Sequence, residues 1–163
     1  MVKILIVDDD PQLIELVCEI LATFDYDSEF ITKPKYLFDI LGSEKFDLIL
    51  MDYYMPEVDG VTLLKELKNH PAYRDIPVIM LTSVDKVDTA VEVIKLGAYD
   101  YLLKPVDEPR LFTCLDKAFE QRNLTRKVSR LQSEVDRLSG KDGIIGKSQI
   151  LSETLKKVHQ VAP

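Results

Sequence analysis

Short apolar runs alternate with amphipathic stretches along residues 1–120. The runs at residues 3–7, 46–51 and 77–82 have the length and aliphatic character of buried strands. Residues 28–31 predict a weaker second strand, and residues 100–103 a short fifth strand. Between and after them, apolar side chains recur at spacings of three and four residues, the period of an amphipathic helix. Five strand–helix repeats predict an α/β fold, in which a five-stranded parallel sheet is doubly wound with helices on both faces.

A different pattern begins beyond residue 120. The last helix, predicted to begin near Val106, meets no glycine until Gly140, so it extends beyond the predicted sheet. Its apolar residues follow a heptad with valine at a and leucine at d, which favours parallel two-stranded coiled coils. This linker seam consists of Leu124, Val128, Leu131, Val135 and Leu138. The alternative is a helix packed on its own domain; we expect a homodimer, because a projecting helix has nothing of its own to pack on.

Composition narrows the class of protein. The 163 residues carry 28 acidic and 21 basic side chains, a net charge of −7, and 46% are hydrophobic, which excludes a disordered or low-complexity chain. No apolar run approaches the roughly 18 residues of a membrane span, and the two cysteines lie in separate helical patterns, so we expect a reduced, cytoplasmic protein. Residues 1–120 sum to −12 and residues 121–163 to +5, which indicates two units.

Polar residues that could carry chemistry lie where the predicted strands end. They are Asp8, Asp9, Asp52, Thr82 and Lys104. In parallel α/β sheets the functional crevice lies beyond these carboxyl ends, and three carboxylates at one edge require a cation such as Mg²⁺. A carboxylate nucleophile beside a metal, a hydroxyl and a lysine describes a phosphoryl-transfer site. We predict Asp52 as the nucleophile and Asp8 and Asp9 as metal ligands. Thr82 and Lys104 would contact phosphoryl oxygens.

Four short motifs, in order along the chain, resemble the signatures of two-component response-regulator receiver domains. They are Val7-Asp8-Asp9, Asp52-Tyr53-Tyr54-Met55-Pro56 with Asp59-Gly60, Leu81-Thr82-Ser83, and Tyr101-Leu102-Leu103-Lys104-Pro105. The resemblance covers about residues 2–120. It implies the flavodoxin-like (CheY-like) strand order 2-1-3-4-5.

The same resemblance implies roles for individual residues. Asp52 accepts a phosphoryl group from a sensor histidine kinase, and the backbone carbonyl of Tyr54 completes the Mg²⁺ shell. Thr82 and Tyr101 form a switch that rearranges the surface of helix four, strand five and helix five on phosphorylation. The peptide bond between Lys104 and Pro105 is often cis in this family.

The last 20 or so residues contain a second, weaker resemblance. The phrase Gly146-Lys147-Ser148 ends like a P-loop, but Lys141 stands where that motif requires glycine, so we expect no phosphate cradle. Residues 143–163 instead resemble the opening of the AAA+ ATPase module of sigma-54-dependent, NtrC-type activators. This implies a receiver domain at 1–120, a coiled-coil-like linker helix at 121–140 and an N-terminal stub of the ATPase module at 141–163. The chain would then end before that module's Walker A motif, and sigma-54 RNA polymerase would be a partner only through the missing module.

Three functions are compatible with these residues. The first is a phosphorylation-controlled switch of a transcriptional activator. The second is a small Mg²⁺-dependent phosphatase or phosphotransferase that passes through an aspartyl phosphate, although such enzymes resembling haloacid dehalogenases carry a second Asp where this chain has Tyr54. The third is a dimerisation scaffold that is never phosphorylated. We expect no direct DNA binding, because the basic residues of the tail are spread along one helix and no helix-turn-helix is evident.

Overall fold

The structure, a computed structural model, describes residues 2–83 and 87–158, with side chains for 2–83 and 88–138. Strands and helices alternate as the sequence predicts. The strands are β1 (Lys3–Val7), β2 (Asp27–Ile31), β3 (Leu48–Asp52), β4 (Val78–Thr82) and β5 (Asp100–Leu103). The helices are α1 (Pro11–Thr23), α2 (Leu37–Ser43), α3 (Gly60–Asn69), α4 (Val87–Lys95) and α5 (Glu108–Val158), and one 3₁₀ turn (Pro34–Tyr36) precedes α2.

The five strands form one sheet in the order β2-β1-β3-β4-β5, and every neighbouring pair is parallel. This confirms the predicted CheY-like fold. Because the strand order reverses between β1 and β3, their carboxyl ends border the crevice in which ligands bind in such sheets. Asp52 is the last residue of β3, and Thr82 is the last residue of β4.

Both faces of the sheet are buried, which explains why its central strands are continuously apolar. Ile4 and Ile6 of β1 join one core cluster with residues of α1 and α5. Leu5 and Val7 point to the opposite face and join a second cluster with residues of α2, α3 and α4. The sheet therefore holds its carboxyl ends rigidly from both sides.

Helix capping fixes the segments that come after β1 and β3. The Asp10 side chain accepts hydrogen bonds from the first turn of α1, and Pro11 occupies the first helical position, which are the places that Asp and Pro favour at the start of a helix. Asp59 caps α3 by accepting from the Thr62 N–H at 2.6 Å. Each cap fixes the position at which the chain leaves the crevice.

The chain divides into two compact units, Met1–Glu120 and Gln121–Pro163. Helix α5 contains 51 residues and continues through Gly140, Gly143 and Gly146 as far as Val158. The described backbone thus has no break at residue 140, and the division into a linker at 121–140 and a stub at 141–163 stays a prediction, with residues 159–163 outside the described part. Over the described residues, no helix has both the length and the apolar character of a membrane span.

Candidate functional site

The buried polar side chains of the sheet meet at its carboxyl edge. Asp8 is fully buried, Asp52 is 5% exposed and Thr82 is 2% exposed, whereas Asp9 is exposed. Each follows or ends a strand whose buried residues are otherwise apolar. Because charged groups are rarely buried without partners, this edge is the strongest candidate for a functional site.

A cluster of three carboxylates lies at this edge. One oxygen each from Asp8, Asp9 and Asp52 lies within 4.8 Å of the others. Asp8 and Asp9 follow β1 and Asp52 ends β3, and these two strands are adjacent in the sheet. The sequence prediction that these three side chains come together is therefore correct.

Lys104 enters the cluster from the end of β5. Its ammonium group donates to Asp8 Oδ2 at 2.8 Å and lies 2.8 Å from Asp52 Oδ1. The other oxygen of Asp8 accepts from the Asp10 N–H at 2.9 Å. The peptide bond between Lys104 and Pro105 is cis. Lys104 thus pairs with two of the three carboxylates but supplies a single positive charge.

Burial and charge shift the ionisation of this pair. Burial raises the pKa of Asp52 above its usual value, and the charges of Asp8 and Asp9 add to that effect against the opposing influence of Lys104. Burial lowers the pKa of Lys104, but its bonds to Asp52 and Asp8 outweigh burial and raise it overall. Lys104 therefore stays charged, while the carboxylate form of Asp52 is held at a cost in free energy.

The donor set of this site fits Mg²⁺. Asp8, Asp9 and Asp52 supply only carboxylate oxygens, the hard ligands that this ion prefers. The three oxygens lie within 4.8 Å of one another, so Asp8, Asp9 and Asp52 would be able to hold one such ion together. With all three carboxylates ionised and Lys104 charged, the cluster would keep two negative charges, which a divalent cation would balance.

Gly60 fixes the position of Asp52 from the opposite side of the loop. Its N–H donates to the Tyr53 carbonyl at 3.0 Å, and a Cβ at this position would lie 2.0 Å from the Asp52 carbonyl oxygen. Only glycine permits this approach. The sequence indicates only turn chemistry at Asp59-Gly60, so the close contact with Asp52 was missed; an Asp-Gly pair soon after the strand was the available signal.

Comparison with known proteins agrees with this geometry. Residues 4–116 match the family described as the response regulator receiver domain. The chain belongs to this family. Four sequence motifs indicate a resemblance to receiver domains, and this resemblance is therefore confirmed.

Several curated transcriptional regulators are similar to this receiver. ZraR of Salmonella typhimurium strain LT2 is 35% identical over 164 residues, which cover 99% of this chain and 35% of that protein. PilR of Pseudomonas aeruginosa is 37% identical over 122 residues, covering 74% of this chain and 27% of that protein. The chain spans about a third of the length of these relatives.

Solved structures show the same fold. NtrX from Brucella abortus, solved in complex with ADP, gives a TM-score of 0.74 at 30% identity and covers 80% of this chain and 30% of that one. A receiver domain from Clostridium thermocellum gives a TM-score of 0.70 at 25% identity, covering 77% of this chain and 99% of that one.

The predicted switch residues of the receiver lie on one face of the sheet. In the β4–β5 register, Met80 pairs with Tyr101 and Thr82 pairs with Leu103, so Thr82 and Tyr101 point to the same side. Tyr101 is half-buried against the core cluster on that face. Tyr101 therefore lies on the neighbouring strand, two residues before Leu103, the residue that pairs with Thr82.

The remaining predicted residues are Tyr54 and the linker seam. Tyr54 lies in the loop after β3, its ring is 59% exposed, and the Tyr53 ring meets it edge-on at 4.5 Å between centroids. The role of its carbonyl as a metal ligand stays a prediction. The five side chains of the linker seam, from Leu124 to Leu138, are each between 56% and 64% exposed.

Proposed function

We propose that this receiver is a phosphorylation-controlled switch that accepts a phosphoryl group on Asp52 from a sensor histidine kinase, with Mg²⁺ as cofactor. The observation that carries the proposal is the arrangement around Asp52. Its carboxylate lies 2.8 Å from the Lys104 ammonium and within 4.8 Å of Asp8 and Asp9 oxygens. Membership of the receiver family supports it.

In phosphoryl transfer the protein mainly positions the reacting groups and stabilises the charge on them. An oxygen of Asp52 attacks phosphorus as the phosphorus–nitrogen bond of a phosphohistidine breaks, and the departing imidazole keeps the electron pair and takes up a proton. Asp8, Asp9, Asp52 and the Tyr54 carbonyl would hold Mg²⁺, which would supply neutralisation of the charge on the phosphoryl oxygens. Lys104 moves its pairing from the Asp52 carboxylate to a phosphoryl oxygen, so its positive charge stays compensated.

Phosphorylation is converted into a change of surface through Thr82 and Tyr101. The Thr82 hydroxyl turns toward the phosphoryl group, and the Tyr101 ring moves into the space beside it. Their placement on one face of neighbouring strands supports this coupling. The surface formed by α4, β5 and α5 then changes between two states.

The second unit carries the dimer in this proposal. The linker seam presents five exposed apolar side chains at heptad spacing, a stripe that a second copy of the helix would cover. Switching would alter the packing of this homodimer. In the proposed organisation residues 1–120 are the receiver, 121–140 the coiled-coil linker and 141–163 the start of an AAA+ module.

The names of similar proteins suggest which process the whole protein regulates. ZraR is named a transcriptional regulatory protein and PilR a response regulator protein, and residues 143–163 resemble the opening of sigma-54 activator ATPases. We infer that the whole protein regulates sigma-54-dependent transcription in the cytoplasm, through a module outside this chain, while this chain binds neither DNA nor membrane.

One experiment separates the switch from the phosphatase and scaffold alternatives. The protein is incubated with Mg²⁺ and acetyl phosphate, and intact mass and phosphodonor consumption are followed for wild type and Asp52→Asn. A stable single-phosphoryl adduct in wild type alone supports the switch. Rapid donor consumption without an adduct identifies an enzyme, and no reaction leaves a scaffold.

A further inference from the structure

The first turn of α5 contacts the side chain of the predicted switch residue. The guanidinium carbon of Arg110 lies 6.0 Å from the centroid of the Tyr101 ring, which is within the range of a cation–π interaction. Arg110 is exposed and Tyr101 is half-buried. The ring is thus bounded by the core on one side and by a positive charge on the other.

The backbone at Tyr101 is tied to α5 separately. The Tyr101 N–H donates to Asp100 Oδ1 at 2.8 Å, and the Cys114 thiol donates to Asp100 Oδ2 at 3.2 Å. Burial, together with the neighbouring Asp100, raises the pKa of the Cys114 thiol to about 11, so the thiol keeps the proton that it donates. Because the backbone is anchored in this way, the Tyr101 ring can change place by side-chain rotation alone.

The proposed switch gives the Tyr101 ring a second position, beside Thr82. Thr82 and Tyr101 point to the same face of adjacent strands, and a ring that rotates toward Thr82 leaves the guanidinium of Arg110. The interaction with Arg110 therefore exists only in the outward position and favours that position over the inward one.

We propose that Arg110 is a positioning residue that holds the Tyr101 ring outward and so sets the resting balance of the switch. The inference rests on the proposed function for the meaning of the inward position. It adds that the guanidinium opposes activation: phosphorylation of Asp52 must displace the ring from Arg110 before the surface of α4, β5 and α5 can change.

Removing the charge of Arg110 should shift the equilibrium between the outward and inward positions of the Tyr101 ring by a measurable factor. An exposed cation–π interaction corresponds to about a two- to fivefold change in an equilibrium constant. Because ligand binding and conformation are linked, an increase in the inward population strengthens, by up to the same factor, the apparent binding of a phosphoryl mimic at Asp52.

Fluorine NMR of protein labelled with 3-fluorotyrosine tests the proposal. The Tyr101 resonance is assigned by its loss in Tyr101→Phe, and its endpoints are set by wild type without ligand and with saturating Mg²⁺ and beryllofluoride. Arg110→Met removes the charge at similar length, Arg110→Lys keeps it, and Arg126→Met makes the same change elsewhere on α5.

We expect Arg110→Met to move the unliganded Tyr101 resonance toward the liganded endpoint and to tighten beryllofluoride binding about two- to fivefold. Arg110→Lys should give a resonance and an affinity near those of wild type, and Arg126→Met should give the same values as wild type. An unmoved Tyr101 resonance in Arg110→Met, or equal shifts in Arg110→Met and Arg126→Met, would overturn the role of Arg110. If beryllofluoride does not move the Tyr101 resonance of wild type, the proposed function fails. In that case, a shift of the unliganded resonance in Arg110→Met but not in Arg126→Met would still support the contact between Arg110 and Tyr101.

Discussion

The carboxyl group of Asp52 is buried beside two other carboxylates, and this placement makes stability depend on pH. Its pKa is raised in the folded protein by burial first and by Asp8 and Asp9 next. A carboxyl whose folded pKa is raised contributes stability at low pH, and that contribution is lost as pH rises through the folded value. The charged form of Asp52 therefore destabilises the metal-free protein at neutral pH.

Asp52→Asn should accordingly be more stable than wild type at neutral pH in the presence of EDTA. The gain should shrink as pH falls, because wild-type Asp52 then takes up a proton and loses its buried charge. Urea unfolding across this range measures the difference. A variant that is less stable than wild type at neutral pH, or a stability gain that grows on acidification, would show that the fold does not disfavour the charged form of Asp52.

Asp9 offers a separate test of the proposed metal site, because its side chain is exposed. Asp9→Asn should change the metal-free stability by less than about 0.5 kcal/mol. It should also lose most of the stabilisation that Mg²⁺ gives wild type, which is about 2.7 kcal/mol when the ion is at 100 times its dissociation constant. Thermal unfolding with Mg²⁺ and with EDTA measures both.

Asp10→Asn is the matched control for this prediction. Asp10 neighbours Asp9, but its side chain caps α1, and asparagine caps equally well. Asp10→Asn should keep the response to Mg²⁺. Equal losses in both variants would show a general effect of charge rather than a ligand at Asp9.

At the scale of single residues, the sequence predicts the contacts that the strand ends dictate. Asp8, Asp52 and Lys104 are polar residues after apolar runs, and parallel topology brings them together. The contact between Arg110 and Tyr101 was not predicted, because it joins a strand to the helix after it and leaves no periodic signal. Side-chain contacts of this kind depend on the turn geometry between elements.

At the scale of elements, the loop between β3 and α3 carries the most demanding packing in the site. Gly60→Ala would place a methyl group against the Asp52 carbonyl oxygen and the Met80 side chain, at 2.0 and 3.0 Å. Relief requires the loop or the end of β3 to move. We expect a loss of unfolding free energy of about 1–3 kcal/mol and slower phosphorylation of Asp52, measured by urea unfolding and by intact mass against time.

Gly42→Ala provides the control within the same protein. Gly42 lies in α2, where a new Cβ would meet only the Tyr73 hydroxyl at an ordinary 3.8 Å. Alanine favours the helix by about 0.5–1 kcal/mol, so this variant should be as stable as wild type or more stable. If Gly60→Ala behaves like Gly42→Ala, the loop is not constrained by Asp52.

Element type and order were predictable because the central strands are nearly continuous apolar runs and the helices between them show the helical period. The boundaries shifted where polar residues sit at an end: β3 begins at Leu48 rather than Phe46 and includes Asp52. The short 3₁₀ turn Pro34–Tyr36 was not predicted, since a single turn is too short to show a period.

At the scale of the whole molecule, the linker seam makes a prediction about assembly. Leu131 lies in the middle of the seam and is 62% exposed. Leu131→Asp puts a charge into the dimer interface that we propose, and it should yield a monomer by light scattering after size-exclusion chromatography. Ser129→Asp, two residues away and off the seam, should leave the dimer intact. A dimer that persists in Leu131→Asp would contradict the seam.

Organisation above the domain was only partly predictable. The change of charge near residue 120 coincides with the boundary between the two compact units, because an acidic receiver and a basic helix have different compositions. The continuation of α5 through Gly140 to Val158 was not predicted. Glycine lowers helix propensity by about 1 kcal/mol, so the sequence alone favours an end of the helix at that position.

The central claim is that Asp52 itself carries the phosphoryl group, and chemical trapping tests it most directly. Protein treated with acetyl phosphate and Mg²⁺ is reduced with borohydride, which converts an aspartyl phosphate to homoserine, and the product is mapped by peptide mass spectrometry. We predict homoserine at position 52 and at neither Asp8 nor Asp9, with none formed when Mg²⁺ is replaced by EDTA. Homoserine at another aspartate, or an unmodified Asp52 in protein that has taken up phosphate, would contradict the account.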